Sequence, residues 1–310
     1  VSRGRVQVRP DPRDPRRSLY RAADIAALTD RKRRSRKVAE VAAGAIAWGE
    51  PVLSSAITTV SAGRLFYRGR DAVELAETET LEAVARLLRG GHGAALKRTD
   101  RPAPPQAADM RSRAFLALAA RAGEEPPARG RNPLALAVEA ATLLDVLTDA
   151  VAGQVGGGAI ANRLALAWGQ GPGGPGADLI RRALVLLADH ELNASTFAAR
   201  VAASTGASLA ASALAGLSAL SGPRHGGAAA AVQSLAREAG QIGPRAAVQA
   251  RLAEDRAIPG FGHNLYSDGD PRAAALLERF EPPAELSRLQ GAVSAMTGLP
   301  PNVDFALVAM

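Results

Sequence analysis

The chain has 310 residues, four histidines and no cysteine, so acid–base and hydrogen-bond chemistry near neutral pH rests largely on those imidazoles. His263 lies in IPGFGHNLYSDGDPR, residues 258–272, where Pro259, Gly260, Gly262 and Gly269 bend the backbone. Such turns need glycine for positive φ but have no need of a histidine, which marks His263 as a candidate working group. His190, in LADHELNAST, begins a His-Glu pair, but Ala194 stands four positions on, so the zinc pattern HExxH fails. His225, in SGPRHGGAAAAV, joins a Gly-Pro turn to a helix start, where the helix dipole favours a neutral imidazole that donates a hydrogen bond. His92, in RGGHGAA, has no acidic neighbour and reads as a surface residue. Taken singly, His190 and His225 fit a structural role at least as well as a catalytic one. The missing cysteines remove disulfides, thiolate metal sites and a thiol nucleophile, and they fit a protein of the cytoplasm.

The elements that must position these groups read mostly as helices. Val6, Val8, Leu19 and Tyr20 flank the turn-rich DPRDP of residues 11–15, which predicts a short N-terminal hairpin. A helix is expected over 22–40, carrying the cluster RKRRSRK at 31–37, and a small hairpin around Ala62-Gly63 within 59–71. Leu81, Val84, Leu87 and Leu88 have helical spacing over about 80–90. Further helices are expected at 109–121, 134–152, 226–239, 244–255, 271–280 and 283–298. Two long apolar helices are expected over 177–220, broken near ADHELNAS. GQGPGGPG at 169–176 is a loop by composition. The predicted fold class is therefore all-α, in two domains.

Composition supports this. Hydrophobic residues make up 47% of the chain and aromatics 4%, an Ala-rich balance that suits closely packed helices. The net charge of +8 is unevenly placed: residues 1–37 hold 13 Lys/Arg and 4 Asp/Glu, and the remainder 25 and 26. Attraction to nucleic acid or acidic surfaces therefore belongs to the N-terminal arm. No secretory signal is visible. The uncharged run 201–223 is rich in Ala, Ser, Thr and Gly, which suits a buried helix packed through small residues better than a membrane span.

In chain order, LADHELNASTFAARVAASTGA, SGPRHGGA, IPGFGHNLYSDGDPR and PPNVDFAL resemble the motif series of the citrate synthase family, from about GRLFYRGRDAVELAE at 63–77 onward. The resemblance implies an acyltransferase that joins acetyl-CoA to oxaloacetate. It implies Asp304 as the base, His225 as donor to the enolate oxygen and His263 as the group that polarises the keto carbonyl. His190 and Asn193 would hold the dicarboxylate, and Arg272 would clamp one carboxylate bidentately. Ile258, Pro259, Gly260, Phe261 and Gly262 would line the adenine of CoA. No metal and no permanently bound cofactor are implied. A homodimer is expected, with the apolar helices around 134–152 and 177–220 as interface candidates.

The same resemblance divides the chain into a basic arm (1–40), a large helical domain (41–225) and a small one (226–310), with the substrate cleft between the last two. Family members continue past the position of Met310 into helices bearing further arginines, so the expectation here is a site without them. Asn264 stands where many members have arginine, and Arg224 replaces an apolar residue before His225. VSRGRVQVRPDPRDPRRSLYRAADIAALTDRKR resembles the wing and following helix of a MerR-like winged helix-turn-helix, whose recognition helix would precede residue 1. Nucleic-acid contact would then come only through this arm. Alternative readings are a regulatory relative without turnover and a citryl-CoA lyase-like activity.

Overall fold

The computed structural model describes residues 8–11, 14–20, 55–91, 101–190, 193–223 and 225–310. The helix expected over 22–40 with its basic cluster, His92 and Arg224 lie outside the described residues. Two compact units divide at Leu53/Ser54. In the first, strands β1 (Val8–Asp11) and β2 (Asp14–Tyr20) pair antiparallel, Val8 opposite Tyr20 and Asp11 opposite Asp14, as the turn-rich DPRDP predicts.

The second unit opens with a three-stranded meander, β3 (Thr58–Ser61), β4 (Arg64–Tyr67) and β5 (Arg70–Asp71). Both two-residue turns have positive φ at both positions, Ala62 (49°) and Gly63 (72°), then Arg68 (46°) and Gly69 (82°). That is the backbone whose twist matches a hairpin, and the expected hairpin at Ala62-Gly63 is present. The helices follow: α1 (Ala72–Thr78), α2 (Leu81–Leu88), α3 (Met110–Glu124), α4 (Pro133–Ala152), α5 (Ile160–Ala167), α6 (Pro175–Leu186) and α7 (Ala194–Ser204). Then come α8 (Leu209–Leu220), α9 (Ala228–Ile242), α10 (Pro244–Ala253), α11 (Pro271–Leu277), α12 (Ala284–Thr297) and α13 (Val303–Ala309). The all-α expectation holds.

Three elements correct the sequence reading. The span 177–220 holds three helices, because Gly206 at φ 88° ends α7 and the Ser208 side chain caps α8 through the Ala211 N–H at 3.2 Å. The run 201–223 is not a buried helix: α7 buries no residue, and Val201 and Leu220 are exposed. No helix among the described residues is long and apolar enough to cross a membrane. Helix α5 was not foreseen. It lacks a local side-chain cap, and its Ile160 N–H donates instead to Glu82 Oε1 of α2 at 2.7 Å.

Two apolar clusters carry the site. One packs Leu65, Tyr67, Leu75, Val185, Leu186 and Leu276 against Val303 and Ala306. The other packs Val232, Leu235, Val248, Ile258, Phe261 and Leu289 against Phe305 and Ala309. Helix α13 therefore belongs to both. Its sequence, VDFALVA, is apolar on two sides, and Asp304 is its one polar residue.

Candidate active site

The loop 258–270 is sewn to the start of α13. Gly262 N–H donates to Pro300 O at 2.8 Å, Asn302 N–H to Gly260 O at 2.9 Å and Asn302 Nδ2 to Gly262 O at 2.9 Å, and Phe261 and Pro301 form an antiparallel bridge. Gly260 (φ 84°) is required twice over, since a Cβ there would lie 2.8 Å from Val232 Cγ2 and 3.1 Å from Phe305 Cβ. Asn302 caps α13, accepting from Asp304 N at 3.0 Å. Asp304 lies inside the first turn.

This stitching presents His263. Its Nδ1 accepts the Leu265 N–H at 3.1 Å, so the neutral ring carries its proton on Nε2, a donor. His190 packs edge-on to His263, with ring centres 5.4 Å apart, and its Nε2 lies 3.0 Å from the Tyr266 hydroxyl. Burial, then the positive charge of Arg272 and the competing titration of His263, push the His190 pKa down to about 3 against the opposing pull of Asp270. It is neutral at pH 7. The strand sheet helps hold this segment: Tyr67 Oη donates to the Val185 and Leu186 carbonyls at 3.0 Å each, and the Thr58 hydroxyl bonds Asp189.

Arg272 lies at the start of α11, beneath the Tyr266 ring at 5.4 Å. Asp270 accepts from its backbone N at 3.0 Å, from Nε at 2.9 Å and from Nη2 at 2.8 Å, and from Val303 N at 3.0 Å. Burial alone would raise the Asp270 pKa, but the Arg272 guanidinium and these N–H groups outweigh it and hold the carboxyl below its usual range. One edge of the guanidinium is thus fixed, and Nη1 makes no hydrogen bond among the described residues, which leaves it for an incoming carboxylate.

His225 sits in the turn before α9. Its Nε2 is 2.9 Å from Ser195 Oγ, whose hydroxyl donates to Asn193 Oδ1 at 2.8 Å. Asn193 also caps α7 through Thr196 N at 2.9 Å, so its oxygen is occupied and its Nδ2 donors are the part able to meet a ligand. The Ser195 hydroxyl has one proton, and turning it from Asn193 Oδ1 to His225 Nε2 would leave the ring Nδ1–H as a donor. Close packing forces the glycines that follow: a Cβ on Gly226 would lie 2.1 Å from the Leu220 carbonyl oxygen, and one on Gly227 2.5 Å from that of Pro223.

Asp304 ties the two groups together. Burial, the largest influence, holds its carboxyl above the usual range; the Asp270 charge adds to this, and Arg272 and His225 oppose it. A half-buried carboxylate poorly solvated by water, in the fields of His225 and Arg272, suits proton abstraction from a weak carbon acid. Ile258 and Phe261 turn their side chains into the second apolar cluster, so a ligand at 258–262 would meet backbone, Pro259 and the glycines. Among the described residues no three His, Cys, Asp or Glu side chains group as a metal ion would need. Sequence reasoning missed Ser195 and Tyr266. Each lies inside a motif singled out for its histidine, and nothing in a one-dimensional pattern marks which hydroxyl an imidazole 30 or 76 positions away will meet.

Residues 94–310 match the family model for the citrate synthase C-terminal domain. Citrate synthase 2 of Bacillus subtilis (strain 168) is 38% identical over 148 residues, 44% of this chain and 40% of that protein. The 2-methylcitrate synthase 2 of Corynebacterium glutamicum is 32% identical over 160 residues, 46% of this chain and 42% of that protein. The matched part of the chain thus spans less than half the length of these relatives. Citrate synthase from Thermotoga maritima MSB8 superposes with a TM-score of 0.61 at 26% identity, covering 84% of this chain and 82% of that one. The ternary complex of Thermoplasma acidophilum citrate synthase with carboxymethyl coenzyme A and oxaloacetate gives 0.65 at 22% identity, covering 83% and 81%, a likeness of fold.

Proposed function

The chain belongs to the citrate synthase family, and on that premise we propose that it condenses acetyl-CoA, or a short acyl-CoA, with oxaloacetate to give citrate or its alkyl homologue and free CoA. The observation that carries this is Asp304: a lone carboxyl on an apolar helix, held above its usual range by burial, in the fields of His225 and Arg272. Asp304 takes a proton from the carbon next to the thioester. His225 donates to the thioester oxygen as it becomes an enolate oxygen. The enolate carbon then attacks the keto carbon of oxaloacetate, whose oxygen accepts from His263 Nε2–H and takes that proton as the C–O double bond opens. Neutral His190, Asn193 Nδ2 and the open edge of Arg272 hold the carboxylates. Water then cleaves the thioester and releases the thiol. The residues named need no metal for these steps.

We place this site in a cleft between helical domains 41–225 and 226–310, whose closure keeps water from the enolate. The exposed apolar residues of α7 and α8 support a homodimer through that surface. CoA adenine would rest on the backbone of 259–262. Both the acetyl- and the propionyl-type reaction are open, since a relative named citrate synthase and one named 2-methylcitrate synthase both match this chain. The β1–β2 hairpin supports reading residues 1–40 as the wing of a MerR-like segment, to be checked by salt-dependent DNA retention.

The test is thiol release from acetyl-CoA plus oxaloacetate, read with a thiol reagent against a protein that has no cysteine of its own. Turnover that disappears in Asp304→Ala supports the proposal. A folded parent that binds acyl-CoA and releases no thiol overturns it in favour of a regulatory relative.

A further inference from the structure

Tyr266 has a place in the site that none of the roles above uses. It is 2% exposed, and it touches three of the groups assigned to oxaloacetate. Its hydroxyl lies 3.0 Å from His190 Nε2, its ring centre 4.8 Å from that of His263, and its face 5.4 Å from the Arg272 guanidinium carbon. We propose that Tyr266 is a positioning residue that donates its hydroxyl proton to His190 Nε2 and so locks His190 as the Nδ1–H tautomer, turned to donate to the dicarboxylate.

The chemistry requires a partner of this kind. An imidazole that holds a carboxylate without being charged has one proton to offer, and which nitrogen carries it is set by what the other meets. His190 Nδ1 makes no hydrogen bond among the described residues, so Nδ1 is the nitrogen left for a ligand. A phenol stays protonated at neutral pH and can donate to Nε2; a backbone carbonyl there would force the opposite tautomer and present a lone pair to an anion. The ring has a second task. Packed against both His263 and Arg272, it sets the spacing between the keto-polarising group and the carboxylate clamp, and its negative face favours the guanidinium.

The role in substrate binding rests on the condensation reading, but the tautomer does not, and the experiment keeps them apart. This chain labelled with 15N in histidine gives only four imidazole pairs, assigned by single replacement. In the parent, His190 Nε2 is expected in the unprotonated range and Nδ1 in the protonated range. In Tyr266→Phe, which keeps the ring, His190 is expected to become a mixture of tautomers while His225 keeps its own shifts. Oxaloacetate affinity, measured by titration calorimetry, is expected to fall about 3–10-fold, the loss of one net hydrogen bond. The same change made in His190→Ala is expected to cost nothing further. A parent His190 protonated on Nε2 overturns the inference without any variant. So does an unchanged His190 in Tyr266→Phe, or an equal loss of affinity in the His190→Ala background. If oxaloacetate fails to bind the parent while the tautomer pattern appears as expected, the condensation reading falls and the positioning by Tyr266 stands.

Discussion

Replacing Asp270 with asparagine preserves shape and removes one charge at the point where the proposed clamp and the proposed base are joined. The carboxylate accepts four N–H bonds at 2.8–3.0 Å, three from Arg272 and one from Val303. An amide cannot accept all four. Placed at Oδ1 its NH2 faces Arg272 N and Nε, and placed at Oδ2 it faces Arg272 Nη2 and Val303 N. Arg272, 3% exposed, is left without a counter-charge in either arrangement. Breaking a buried pair from one side costs about 3–5 kcal/mol, or a fall in melting midpoint of roughly 6–20 °C for a unit of this size. Urea titration followed by circular dichroism would read it. The double variant Asp270→Asn with Arg272→Met removes both charges, and its amide oxygen still accepts the backbone N–H of residue 272. Only Val303 N is left unpaired, about 1–3 kcal/mol, so it should be more stable than Asp270→Asn alone. The pH dependence has a fixed sign. Asp270 has a lowered pKa in the folded state, so its stabilisation is complete above the ordinary aspartate value of about 4 and is lost as pH falls through the folded value. The gap between parent and Asp270→Asn should be flat from about pH 5 to 8 and close below about pH 4. An Asp270→Asn protein within about 1 kcal/mol of the parent, or a double variant less stable than the single, would refute this account of the pair.

Asp304→Asn should lower thiol release by about 10²–10⁴-fold and yet raise the melting midpoint at pH 7. A raised carboxyl pKa makes the folded state disfavour the charge above about pH 4, and scanning calorimetry at pH 7 and pH 3.5 should show the gain only at the former. Ser195→Ala should reduce kcat about tenfold by loosening His225, with little change in the KM for oxaloacetate, a split that steady-state kinetics reads directly. Gly226→Ala sets a methyl group 2.1 Å from a carbonyl oxygen. It should cost about 1–3 kcal/mol in urea titration and displace the turn that carries His225.

The motif loops were legible because each pairs backbone-bending residues with a side chain they have no need of, as at His263. Helices with clean apolar spacing, such as α2, were legible for the usual reason of period. What stayed hidden was non-local. Helix α5 is capped by a carboxylate 78 positions away, and the partners of His190 and His225 come from other motifs. Near α13, Asn302 and Asp304 are both plausible caps on paper. The structure selects Asn302, whose side chain also bonds the Gly262 carbonyl, and thereby turns Asp304 into the site. The break at Gly206 was missed because a small-residue run carries almost no amphipathic signal on either side of it.

Helix α13 is shared by both apolar clusters, Val303 and Ala306 in one and Phe305 and Ala309 in the other, and this orders events during synthesis. One cluster needs the chain as far as Ala306 and the other as far as Ala309, so neither can be completed until this last helix has left the ribosome, and the two cores consolidate together. Contacts of such long sequence separation make that consolidation slow. The carboxyl of Asp304 reaches its place only when both cores have formed around its helix. A chain that has assembled one core alone therefore lacks the carboxyl proposed as the base, and partly folded protein would not run the first half of the proposed chemistry.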